Sequence, residues 1–140
     1  MRYKSSGQTL IVKLEDGEKV PDGVVRACEV SDLRMGWVHS GIGILRDFTL
    51  GYYTRDGYIK RTFEEPYELL SLTGTVTLDA KVPIHLHASL AGSDYKVVGG
   101  HLFSGTVTNL NEILIHRMPE DVWIGRSMNP ETEYYELDIR

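Results

Sequence analysis

Three histidines stand out as the residues best able to do chemistry. They fall in two short segments, Pro83-Ile84-His85-Leu86-His87-Ala88 and Gly99-Gly100-His101-Leu102, and account for three of the five histidines in the chain. Side chains of a β-strand alternate between its two faces, so His85 and His87 point to one side and Leu86 to the other. A hairpin centred on Asp94 would set His87 directly opposite His101, with Cβ atoms about 5 Å apart. All three imidazoles would then share one face, within reach of a single ion. A one-residue slip in that pairing would break the arrangement. Three imidazoles with a fourth position open is a catalytic zinc arrangement, and neutral imidazole also suits copper, nickel and iron. The competing reading is three unrelated polar residues on a solvated sheet face. If they bind one zinc, their nitrogens should lie about 2.0–2.1 Å from it. Each ring's second nitrogen should then bond a carbonyl, a carboxylate or water. Gly99-Gly100 reads either as a bulge or as a close backbone approach that aims His101.

The elements that must position these residues read mostly as strands. Segments 8–14, 36–40, 42–53, 58–63, 67–77, 83–90, 97–107, 111–117 and 134–139 alternate in polarity or run apolar. Asp56-Gly57 marks a tight turn, and Gly92-Ser93-Asp94 lies between the two histidine segments. One helix is expected over 19–31, from the spacing of Val20, Val24 and Cys28 with Pro21 near its start. The expected fold class is therefore α+β, a mostly antiparallel sheet flanked by few helices in a single domain over 1–140.

Composition narrows the function classes. With 15 basic and 20 acidic residues in 140, the formal net charge is −5, which disfavours phosphate-rich partners unless the basic residues gather on one face. No specific binding of nucleic acid is expected of the isolated chain. No apolar run approaches the ~20 residues of a membrane span, and the N-terminus lacks the apolar core of a secretory signal. With the single cysteine, Cys28, this gives an expectation of a reducing, cytoplasmic setting and no membrane partner. Gly41 and Gly43 fail as a dinucleotide fingerprint, because Arg46 occupies the third glycine's place and no helix follows. No nucleophile elbow occurs. Cys28 reads as inert core, His39 and His116 as structural or surface residues, and Trp37, Trp123 and the pairs Tyr52-Tyr53 and Tyr134-Tyr135 as core or subunit interface.

The histidine pattern, followed by a strand containing Glu112, resembles the PPC domain (plant and prokaryote conserved). Glu68-Leu69-Leu70-Ser71-Leu72-Thr73-Gly74 resembles that family's central strand, and Ser40-Gly41-Ile42-Gly43 its early glycine-containing strand. Arg126 and Glu136-Leu137 resemble its closing segment, so the likeness runs over about residues 8–139. The resemblance implies an α+β fold, a homotrimer, and a zinc ion held by His85, His87 and His101. In plant relatives DNA binding belongs to an attached basic hook, which this sequence lacks. Glu112 is the expected general base, or a carboxylate supporting the ligands, since metal-bound water needs a proton acceptor in reach; its alternative is a strand carboxylate bonded to backbone or to a neighbouring subunit. Three functions stand as alternatives: a metal site that acts on or senses a small molecule, a protein–protein assembly module with an incidental metal, and a DNA-associated regulator.

Overall fold

The computed structural model describes residues 1–140. In chain order the elements are β1 (Arg2–Ser6), β2 (Thr9–Glu15), β3 (Lys19–Val20), α1 (Asp22–Val30), β4 (Met35–Thr54), β5 (Gly57–Phe63), β6 (Tyr67–Thr77), β7 (Ile84–Ala91), β8 (Val97–Arg117), β9 (Ile124–Asn129) and β10 (Tyr134–Ile139). Every strand pairing is antiparallel. The fold is nearly all-β. A single nine-residue helix takes the place of the expected flanking helices, which corrects the α+β expectation.

The main sheet runs β1-β2-β8-β7-β6-β4-β5, and an added pairing of β8 with β4 joins the sheet to itself. Four strands, β4, β6, β7 and β8, thereby form a closed ring with no free edge among them. Closure protects backbone groups that an open sheet would leave unpaired. The 20 residues of β4 pair with β5, β6 and β8, and the 21 of β8 with β2, β3, β4 and β7. Breaks in register allow the bending, at Val38/Ser40, Gly43/Leu45 and around Arg46–Leu50. At the Gly43 break the buried Asn111 side chain replaces a ladder partner, its Oδ1 accepting from the Ile44 amide at 3.0 Å. The core is aliphatic, with Leu45, Leu72, Leu86, Leu90, Leu102 and Ile113 fully or almost fully buried around Phe48. Helix α1 adds Val24, Ala27 and Cys28 to it. The helix starts later than the expected 19–31, because Lys19 and Val20 pair with Thr106 and Gly105 on β8. A residue preceding proline is also disfavoured in helical backbone.

Glycine is required where β6 meets β7. Gly74 lies opposite Leu86 with φ +154°, and a side chain there would overlap the carbonyl oxygen of His85. The close approach holds β7 against β6 and so fixes where His85 starts. Gly74→Ala is expected to force the two strands apart at a cost of about 1–3 kcal/mol, as for overpacking elsewhere. The urea unfolding midpoint should fall with an unchanged slope. An unaltered midpoint would show that the close approach is not a constraint.

Candidate metal centre

The loop 92–96 between β7 and β8 sets the geometry of the centre. The Gly92 amide donates to the Lys96 carbonyl at 3.1 Å and the Tyr95 amide to the Gly92 carbonyl at 2.9 Å, while Asp94 Oδ1 accepts from the Lys96 amide at 3.1 Å. Tyr95 takes φ 62° to complete the turn. From this loop the strands pair Ala91 with Val97, and so on up to His87 with His101, as the hairpin centred on Asp94 requires. On the other side of β7, His87 faces Thr73 and His85 faces Thr75. Leu86, between them, points into the core. Gly100 lets His101 approach, since a side chain at that position would come within 2.7 Å of the Gly51 carbonyl oxygen on β4.

The three imidazoles converge. One nitrogen from each of His85, His87 and His101 lies within 4.8 Å of the others, and the Nε2 atoms of His85 and His87 are 3.2 Å apart. Nitrogens bound at about 2.0–2.1 Å to a tetrahedral zinc stand about 3.3 Å from one another, so that pair already has a ligand-like spacing. His101 Nδ1 is buried and has no hydrogen-bond partner, so one ring nitrogen of the trio is left unsatisfied by protein groups. An all-imidazole donor set with this spacing fits zinc and its borderline neighbours.

Burial pushes the His85 imidazole down to about 4, with the nearby Arg126 guanidinium adding to the effect. His101 is also pushed down to about 4, chiefly by burial and then by the charges of His87, Lys60 and Arg126. Both rings are therefore neutral near pH 7, the state a metal requires. Around them stand Tyr58, its ring centroid 5.1 Å from that of His101, and Phe103 at 4.5 Å, with Lys60 Nζ 3.9 Å above the Phe103 ring. A cavity of about 640 Å³ opens over His85 and His101 and is walled on its far side by β9 and β10.

Not every expected site residue joins the cluster. Glu112 is exposed on β8, between Lys13 on β2 and Ile42 on β4. It stands eleven residues along the strand from His101, on the order of 30 Å if extended, and it is not in the group of converging donors. The structure therefore brings the histidines together without it. The expected bonds from each second ring nitrogen to a carbonyl, carboxylate or water also differ, because His85 Nδ1 faces Arg126 Nη2 at 3.1 Å. Sequence reasoning missed Tyr58 and Tyr134 as residues beside the site. Tyr134 instead packs edge-on against Tyr53, centroids 4.6 Å apart, and lines the cavity. The fold alone brings β5 and β10 here, so no local pattern could have announced them.

These features define an antiparallel β protein with a three-imidazole centre opening on a cavity. The Plants and Prokaryotes Conserved (PCC) domain model matches residues 1–119, and the chain belongs to that family. It is similar to a plant- and prokaryote-conserved protein of Pyrococcus horikoshii at 26% identity and TM-score 0.80, covering 96% of this chain and 93% of that one. A metal-containing protein of Archaeoglobus fulgidus is 26% identical at TM-score 0.80, covering 97% of both chains. A Bacteroides thetaiotaomicron protein provisionally named DNA-binding is 26% identical at TM-score 0.87, covering 98% and 96%. Among curated proteins, the bifunctional protein GlmU of a Synechococcus strain is 29% identical over 130 residues, 92% of this chain. The chain spans about a fifth of the length of that relative. Arg126 and the β9–β10 hairpin lie beyond the residues that the family model matches.

The depressed imidazoles make the metal-free protein sensitive to acid. The unfolded chain takes up these two protons near 6.5, whereas the folded chain resists them until about 4. Stability is therefore complete above about pH 6.5 and is lost as pH falls toward 4. The urea midpoint should already decline between 6.5 and about pH 5, above the ordinary carboxylate range. Replacing both His85 and His101 by Asn should flatten that decline. A wild-type midpoint that stays level over the interval would refute the assignment.

Proposed function

We propose that this chain is a metal-binding member of its family in which His85, His87 and His101 hold one divalent transition metal, zinc in the first place, beside a pocket for a small molecule. The observation that carries this reading is the convergence of the three imidazole nitrogens on one face. The metal-containing relative from Archaeoglobus fulgidus supports it. A metal held by three imidazoles supplies Lewis acidity and an exchangeable fourth position. The protein's own part is to keep two of the rings neutral by burial, to fix their spacing through the hairpin, and to present them to a cavity instead of enclosing them. Whether the pocket serves catalysis or sensing depends on its ligand. The cytoplasm, as the place of action, accords with the single buried thiol of Cys28, and no helix is long and apolar enough to cross a membrane.

Assembly into a homotrimer is part of the proposal. The outward face of β2, β8 and β4 carries Ile11, 56% exposed, Ile42, 53% exposed, and Trp37, 43% exposed. Leu114 lies between Ile11 and Ser40 in the same ladder. An apolar surface of this kind marks an interaction site. Glu112 stands on this face, and its proposed place is at a subunit boundary. DNA binding is the reading favoured by the names of some structural relatives, but the net charge of −5 opposes it, and the proposal excludes sequence-specific DNA binding by the isolated chain.

Three measurements test these claims. Elemental analysis of protein purified without added metal should find about one transition-metal ion per chain. His87→Ala should weaken zinc binding on the order of 100-fold or more, since even losing the partner of a ligand costs 10–100-fold. His87 is exposed, so the variant should keep its fold. Equal zinc in the variant and wild type would refute the site. Light scattering should give three times the 15.8 kDa chain mass, with Ile11→Asp dissociating the assembly. A wild-type monomer at micromolar concentration would refute the assembly.

A further inference from the structure

Arg126 lies beside the cavity without a carboxylate partner. It reaches in from β9, donating from Nη2 to Thr75 Oγ1 at 2.6 Å and to His85 Nδ1 at 3.1 Å, and from Nη1 to the Tyr135 carbonyl at 3.4 Å. Its Nε is buried with no partner. No carboxylate pairs with it, whereas Arg2, Arg34 and Arg140 at the surface each have one. A part-buried guanidinium without a counter-ion is costly.

Its contact with His85 also conflicts with metal ligation. Guanidinium nitrogens only donate, so His85 Nδ1 must accept, and the ring's proton then sits on Nε2. A neutral imidazole that ligates through Nε2 carries its proton on Nδ1, which would set donor against donor. One that ligates through Nδ1 has no lone pair left there for Arg126. In either case metal loading frees a guanidinium next to a second positive centre. An anion satisfies both, and a carboxylate matches the guanidinium fork with two oxygens.

The rest of the cavity limits the body that such a carboxylate can carry. Tyr58, Tyr134, Val82 and Leu137 present aromatic and aliphatic surface. Glu133 and Glu136 also line it and repel a second negative charge. Glu136 is held by Asn129 Nδ2 at 2.9 Å and Thr132 Oγ1 at 3.1 Å, so it is already engaged away from Arg126. We propose that the cavity binds a small organic monocarboxylate, with Arg126 holding the carboxylate beside the metal and the apolar body lying against Tyr58, Tyr134 and Leu137. This rests on the metal reading above and adds the ligand class. Arg126, Tyr134 and Leu137 all belong to β9 and β10, so that hairpin would supply both the carboxylate clamp and part of the apolar wall.

Calorimetric titration of zinc-loaded protein with benzoate tests the proposal, with the neutral benzamide and inorganic phosphate as comparators and zinc affinity measured separately. Benzoate should bind saturably, benzamide about tenfold more weakly or worse, as for loss of one charge-assisted hydrogen bond, and phosphate no more tightly than benzoate. Arg126→Gln should lower benzoate affinity by about tenfold or more while zinc affinity holds or rises, because a competing cation is removed. That opposite movement is not what a structural defect produces. Arg126→Lys keeps the charge but loses the fork, should show a several-fold loss, and serves if the Gln variant does not fold. Zinc uptake without benzoate binding, or equal benzoate affinity in wild type and both variants, overturns the proposal and leaves the metal reading standing. Phosphate binding more tightly than benzoate overturns the monocarboxylate class. A wild type that takes up no zinc overturns both readings.

Discussion

The register of the β7–β8 hairpin is the constraint on which the centre depends. Because strand side chains alternate, moving β8 by one residue against β7 would turn His101 away from the other two rings and bring Gly100 or Leu102 opposite His87. Two kinds of interaction oppose that slip. The loop 92–96 closes with its own hydrogen bonds at Gly92, Asp94 and Lys96. Beneath the site, Leu86, Leu90 and Leu102 are buried with little or no exposure, and a slip would expose part of that apolar set at roughly 25 cal/mol per Å². The same aliphatic residues that make the core thus fix which polar residues meet on the opposite face.

Closure of the sheet extends this control to residues distant in sequence. β8 pairs with β7 through His101 and with β4 through Gly51 at the same residue. The lack of a side chain at Gly100 lets β8 approach the Gly51 carbonyl, and at Gly51 it leaves room for the Phe103 and Tyr58 rings; β4 then leads into the β5 hairpin that brings Tyr58 and Lys60 to the imidazoles. A single sheet therefore supplies the three imidazoles and one cavity wall. The other wall comes from β9–β10, a separate two-stranded sheet. Its side-chain links to the main sheet include Arg126 to Thr75 and His85 and the packing of Tyr134 on Tyr53.

The histidine pairing and most strands were legible because they obey a period of two against an unbroken core. β6 spans the expected 67–77, and the pairing of His87 with His101 follows from the loop centre. Other features broke the period. β4 read as two strands because its register shifts at Val38/Ser40 and Gly43/Leu45 change which parity faces inward. β8 read as two because Asn109 takes φ 65° within it. β1 is exposed at every residue, so it has no apolar alternation to detect. Glu112 was expected near the ligands because it follows them closely in sequence, but a bent strand carries it to the outward face. Arg126 was noted only through a family likeness, since its partners Thr75 and His85 lie 51 and 41 residues away.

An acidic chain can still place an unpaired guanidinium beside buried imidazoles. The excess negative charge is spread over the surface, where water and salt screen it beyond about 10 Å. At the cavity the charges are mixed, with Arg126, Glu133 and Glu136 in its lining and Lys60 near His101. Burial and then Arg126 press His85 toward neutrality, and burial with the charges of His87, Lys60 and Arg126 does so for His101; burial also lowers Arg126, which is part-buried. Removing water strengthens local electrostatics relative to the screened surface, so a ligand placed at Arg126 feels that guanidinium more than the distant net charge. Protons are excluded from His85 and His101 near pH 7, and Arg126 has no carboxylate partner among its hydrogen bonds. Such a site favours a ligand that brings the negative charge with it.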